Sequence, residues 1–278
     1  MPRAAPRAGA DARKRTRSGR VLRDRFIVTC EHGGNRIPAR YRSLFTGAGA
    51  LLASHRGFDP GALQLARELA AALHAPLVSA SISRLLVDLN RSIGHPRLHW
   101  IPVRAMTPSD RELIIDECYR PYRRAVESQV ARDAASGRVI HLSSHSFTPV
   151  LDGKPRHADI GLLYDPSRDG EVALCAAWKQ ALHDCVPALR VRRNYPYAGI
   201  GDGLTSYLRS RYSAQRYVGI ELEVNQKHVF GGGREWQRLR RAILASLHIA
   251  LARFPASRAR SSGRSAVSGD ARLLPTSS

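Results

Sequence analysis

The sequence is poor in acidic residues, in cysteine and in long apolar runs. No stretch approaches the roughly 20 apolar residues that span a bilayer. The N-terminus also lacks the apolar core of a secretory signal, so the expectation is a soluble protein. The four cysteines (Cys30, Cys118, Cys175 and Cys185) are scattered and form no CxxC pair. That excludes a structural zinc knot or a disulfide scaffold and fits a reducing cytoplasm. GxSxG, a P-loop and a GxGxxG after a strand are all missing, which removes the serine-hydrolase elbow and the usual phosphate cradles.

Basic residues are plentiful. Lys and Arg number 44 against 23 Asp and Glu, a net charge of +21. Residues 1–20 hold seven Lys/Arg against one Asp, and residues 256–278 hold four Arg against one Asp. Both segments are rich in Arg, Ala and Ser and have too little apolar periodicity to offset the entropy of ordering. They are expected to be disordered tails flanking one catalytic domain over 21–255. The first also has the Arg-rich, acid-poor look of a transit peptide, but a compositional bias or an early start produces the same text, and the cytoplasm is the expected location. A basic nucleic-acid-binding protein is the rival from another class. Its support is confined to non-specific phosphate contacts through the tails, because the core has no recognisable nucleic-acid motif and is only 6% aromatic.

Along the core, residues 25–30 read as a central strand that breaks at Cys30-Glu31-His32-Gly33-Gly34-Asn35. Two glycines there let backbone and substrate come close without a Cβ in the way. Asp59-Pro60-Gly61 opens a helix to about His74, with Asp59 as N-cap and Leu65 and Leu69 on its buried face. Residues 76–82 and 84–89 read as two short strands or one bent strand, and 92–108 as a loop. Ser109 with Glu112 marks a capping box, and Pro121 kinks or divides the helix that follows. Strands at 138–142, 160–164, 189–191 and 217–224 alternate with helices at about 170–185, 204–211 and 234–253. The alternation predicts an α/β fold with a largely parallel or mixed sheet.

In such sheets ligands bind beyond the carboxyl ends of strands, and four segments deliver polar residues there: His32, Asn90-Arg91, His145 and Glu221/Glu223. Two neutral imidazoles suit one divalent ion such as Zn²⁺, with a position left for water. Asp59 is the first candidate for a third ligand, with Glu31 and Asn35 as alternatives. Glu221 and Glu223 share one strand face, and Glu223, nearer the carboxyl end, is preferred as the group that takes a proton from water and passes it to a leaving amine. Arg91, with Asn90 and Arg84, is placed to grip a carboxylate. Asn194 and Tyr197, in a loop rich in proline and glycine, are candidates for the same pocket.

The segments EHGGNRIP, FDPGA, SRLLVDLNR, SSHSFTP, NYPYAG and IELEVNQ, in that order, resemble the N-formylglutamate amidohydrolase family over about residues 24–253. The resemblance implies a three-layer α/β/α sandwich of the phosphorylase/hydrolase-like type, one Zn²⁺ ion, and hydrolysis of the N-acyl amide of a small acidic amino acid. It assigns zinc to His32 and His145, the substrate carboxylate to Asn90-Arg91, and the base to Glu223. In zinc-dependent relatives a glutamate follows the first histidine by three residues. Asn35 stands there in this chain, which leaves the third ligand open and points to a divergent branch. The oligomeric state is undetermined, and a peptide or cell-wall fragment is the alternative substrate.

Overall fold

The computed structural model describes residues 21–255 together with 257–258. The tails expected at 1–20 and 256–278 lie outside the described residues apart from Ser257–Arg258, and with them the phosphate contacts assigned to those tails. β1 (Val21–Leu22) precedes β2 (Asp24–Cys30), whose last four residues are buried. A 3-10 segment at Ala39–Phe45, α1 (Gly49–Ala53) and α2 (Ala62–Ala72) follow, then β3 (Leu77–Ser79), α3 (Ile101–Arg104) and α4 (Pro108–Ile114). A π turn at Ile115–Tyr119 joins α4 to α5 (Arg120–Ser136), which leads to the ten buried residues of β4 (Arg138–Phe147). Next come the hairpin of β5 (Val150–Leu151) and β6 (Lys154–Pro155), then β7 (Ile160–Leu163), α6 (Asp169–Cys185), β8 (Val191–Arg193) and α7 (Leu204–Arg211). β9 (Tyr217–Asn225), α8 (Lys227–Phe230), α9 (Gly233–Arg253) and β10 (Ser257–Arg258) complete the chain. β10 pairs with β1, so two residues of the predicted C-terminal tail belong to a strand.

The main sheet has the order β3-β2-β4-β9-β7-β8, and every neighbouring pair is parallel except β7 with β9. Strand alternation sends Ile140 and Leu142 of β4, and Ile220 and Leu222 of β9, to one face, where Leu65 and Leu69 of α2, Trp178 of α6 and Ile243 of α9 bury them. The other face carries Ile27, Val139 and Tyr217, covered by Tyr122 and Val126 of α5 and by Leu204 and Leu208 of α7. Apolar layers on both faces make a three-layer α/β/α sandwich with a mixed, largely parallel sheet. No helix among the described residues is long and apolar enough to cross a membrane.

Several local expectations are corrected. Residues 84–89 form turns, and the only regular strand between 76 and 89 is β3. Leu85, Leu86, Val87 and Leu89 are apolar because they are buried in the second core, without a strand ladder. α4 starts two residues earlier than the capping-box pattern suggests, with Thr107 accepting from the Asp110 N–H and Pro108 in the first turn. Pro121 stands in the first turn of α5, where the helix expected to be kinked or divided is interrupted by a π turn between α4 and α5. The proline sits just past the π turn, whose widened turn absorbs the missing N–H. The 92–108 loop contains the short α3. The strand expected at 189–191 falls at Val191–Arg193.

Candidate active site

Parallel pairing sets His145 of β4 directly beside Glu223 of β9, and places Thr29, Ser143 and Glu221 in one row across three strands. Beyond these strand ends lies a cavity of about 860 Å³ that takes in His32, Asp59, Arg84, Asn90, Arg91, His145, Tyr197, Glu221 and Glu223. Nine of the ten residues given a first-choice role from the sequence therefore meet in one place. The tenth, Asn194, does not line it. Its Oδ1 accepts from the N–H groups of Tyr164 and Gly199, so it shapes the loop that carries Tyr197.

Asp59 is not the N-cap of α2. The capping position belongs to Gly61, whose φ of 81° is the left-handed conformation glycine adopts readily. The Asp59 carboxylate turns to the histidines instead: Oδ2 is 2.9 Å from His145 Nδ1 and 3.4 Å from His32 Nδ1. One donor atom from each of His32, Asp59 and His145 lies within 4.8 Å of the others. The outer nitrogens are occupied by carboxylates, His32 Nε2 at 2.7 Å from Asp88 Oδ1 and His145 Nε2 at 3.1 Å from Glu31 Oε2. Both imidazoles thus turn Nδ1 toward Asp59, and His32 Nδ1 is buried without a hydrogen-bond partner. Two imidazole nitrogens, one of them orphaned, and one carboxylate fit a divalent cation. Of the other proposed third ligands, Asn35 points away and donates to the Leu52 carbonyl, and Glu31 lies behind His145.

The glycines of the first motif serve the chain itself. A Cβ on Gly33 would lie 2.8 Å from the Ala80 carbonyl oxygen, and one on Gly34 2.8 Å from that of Ser81. They let the segment after β2 lie against residues 80–81 and hold His32 at the cavity floor.

Electrostatics divide the acids into two kinds. Burial alone would raise the Asp59 and Asp88 carboxyls, yet His32 and Arg84 hold both far below the usual carboxylate range. Arg84 joins them, donating to Asp88 Oδ2 at 2.7 Å and to Asp59 Oδ1 at 3.4 Å. Its guanidinium is therefore already committed to protein carboxylates. Burial would lower His32 and His145, but the surrounding carboxylates prevail and both are raised. Glu223 goes the other way: burial, reinforced by the neighbouring charges of Asp59 and Glu221 and opposed by His145, raises it to about 7. Its Oε2 is buried and unpartnered. Glu221 is engaged, accepting from Thr205 Oγ1 at 2.5 Å.

Asn90 and Arg91 have structural bonds as well. Asn90 Oδ1 accepts from the Leu204 N–H at the start of α7, and Arg91 donates to the Asp202 carbonyl. Arg91 has no carboxylate partner among the described residues, so its charge remains available to the cavity. Sequence reasoning missed Asp88 as a functional residue. Its only local signal is its place, four residues after Arg84 in SRLLVDLNR.

A sandwich that gathers two histidines, an aspartate and a high-pKa glutamate at its strand ends has the equipment of a hydrolase. The chain belongs to the N-formylglutamate amidohydrolase family, which it matches over residues 24–230, and it is an amidohydrolase. Among solved structures it is similar to a gene product of Agrobacterium tumefaciens, at 29% identity and a TM-score of 0.72 over 84% of this chain and 92% of that one. It shares its fold with an N-formylglutamate amidohydrolase from Ralstonia eutropha JMP134, at 21% identity and a TM-score of 0.58 over 84% of this chain and 95% of that one. No curated protein matches the chain.

Proposed function

We propose that the chain is a zinc-dependent amidohydrolase that cleaves the N-acyl amide of a small acidic amino acid of the N-formylglutamate type. The observation that carries this reading is Glu223, a buried carboxyl raised to about 7 with a free oxygen, held beside His145 of the His32–Asp59–His145 cluster. His32, Asp59 and His145 would hold the ion. When bound, it supplies a Lewis acid that polarises the scissile carbonyl and lowers the pKa of water. Glu223 takes the proton of the attacking water and delivers it to the departing amine nitrogen, work suited to a carboxyl whose pKa lies near operating pH. Arg91 pairs with the substrate carboxylate, and Arg84, tied to Asp59 and Asp88, fixes the acids beneath it. Asn90 sets the start of α7 beside the pocket, and Glu221, held by Thr205, adds the negative field that keeps Glu223 protonatable.

Metal analysis of purified protein combined with a formylglutamate turnover assay tests the reading. A stoichiometric divalent metal is expected, with a loss of about 10²–10⁴-fold in kcat for Glu223→Gln. A metal-free, inactive protein whose Glu223→Gln variant behaves like wild type would overturn it.

A further inference from the structure

Glu31 is fully buried in a place where an isolated charge is costly. Among the described residues its carboxylate meets no lysine or arginine, and its one ionic partner is His145, with Nε2 3.1 Å from Oε2. Two hydroxyls complete its shell. Tyr122 Oη, from α5, donates to Oε1 at 2.7 Å, and Ser143 Oγ, two residues before His145 on β4, donates to Oε2 at 2.5 Å. Ser143 Oγ also lies 2.9 Å from His145 Nε2. The carboxylate is thus held from two elements, α5 and β4, and directed at the outer nitrogen of one imidazole. Asp88 stands in the same relation to His32, but Arg84 balances its charge. Nothing of that kind balances Glu31.

Resting on the proposed metal site, we propose that Glu31, clamped by Tyr122 and Ser143, is a positioning residue that holds His145 with Nδ1 toward the cation and sets the affinity of the site. A hydrogen bond from Nε2–H to a carboxylate fixes the tautomer that leaves Nδ1 free as a donor, orients the ring and makes it more basic. The buried negative charge then finds its balance in the cation across the ring. This explains why a glutamate beside His32 in the sequence serves the other histidine in space.

The test is metal affinity, read by competition with a chromophoric chelator, together with the visible spectrum of the cobalt-substituted protein. Glu31→Gln is expected to weaken zinc binding about 10- to 100-fold and to shift the cobalt bands. Tyr122→Phe, which loosens the clamp and leaves the charge, is expected to give a smaller loss in the same direction. Glu31→Asp should recover part of the affinity. A purely structural role would lower the thermal midpoint of the metal-free protein and leave the affinity and spectrum of the folded fraction unchanged. That result, or wild-type affinity in Glu31→Gln, overturns the proposal and leaves the metal site standing. Should Glu31→Gln not fold, wild-type affinity and cobalt bands in Tyr122→Phe overturn it equally. A wild-type protein that takes up neither zinc nor cobalt overturns both this inference and the metal-dependent reading beneath it.

Discussion

Glu223 and Asp59 stand on neighbouring parts of one cavity, yet their environments push their proton affinities in opposite directions. Asp59 has two imidazoles and Arg84 around it and stays ionised, whereas Glu223 has an unpartnered oxygen and burial that favours the neutral acid. Such divergence between neighbouring acids marks a division of labour. A base must be deprotonated, so kcat/KM should rise with pH on the acid side and level off above the Glu223 pKa. The value of about 7 applies to the protein alone. A bound cation favours the carboxylate, so the acid limb should inflect at or below 7, with about a tenfold loss per pH unit beneath it. A pH–rate profile checks this. The limb should persist in Glu223→Asp, and a limb unchanged in Glu223→Gln would assign it to another group. At this scale much was legible: His32, His145 and Glu223 could be placed at strand ends from the pattern alone. Asp88 could not, because what distinguishes it is a contact with His32, 56 residues away.

Among the elements, β7 shows how closely the site is built into the sheet. A Cβ on Gly161 would lie 1.9 Å from the Tyr195 carbonyl oxygen and 3.2 Å from the Glu223 Cβ. Gly161→Ala must therefore displace the loop leading to Tyr197, or β9 itself. A loss of about 1–3 kcal/mol is expected from overpacking, measured by denaturant titration, together with reduced turnover. Gly49→Ala is the control, since nothing lies within 4 Å of a Cβ there and the residue is helical, so stability should hold or rise slightly. Element identity was largely readable because periodicity encodes burial, and Leu65 and Leu69 of α2 are buried as their spacing requires. The 84–89 run misled for the same reason. Its leucines and valine are buried in turns, and burial without a ladder leaves the same apolar pattern as a strand.

For the molecule as a whole, the layer beneath the cavity contains His141, wholly buried between Thr29 Oγ1 at 2.8 Å and Tyr217 Oη at 2.6 Å. Burial, which outweighs the pull of Glu31, lowers its pKa from 6.5 to about 4. Below pH 6.5 the unfolded chain takes up a proton that the folded protein refuses until about pH 4, so stability falls across that window and this contribution levels off beneath it. The loss attributable to His141 is about 3–4 kcal/mol at most, at roughly 1.4 kcal/mol per pH unit. Denaturant titrations across this range should show a shallower slope in His141→Gln than in wild type, and equal slopes would refute the assignment. What the sequence by itself determined is the alternation of strands and helices and the arrival of His32, His145 and Glu223 at strand ends, since both follow from short-range periodicity. Only the tertiary structure decided that Asp59, and neither Glu31 nor Asn35, faces the two imidazoles, that Glu31 lies behind His145, and that Asn194 shapes a loop outside the cavity. Those outcomes depend on distances between segments as far apart as the 86 residues from Asp59 to His145. Packing of the two cores sets such distances, and no local pattern encodes them.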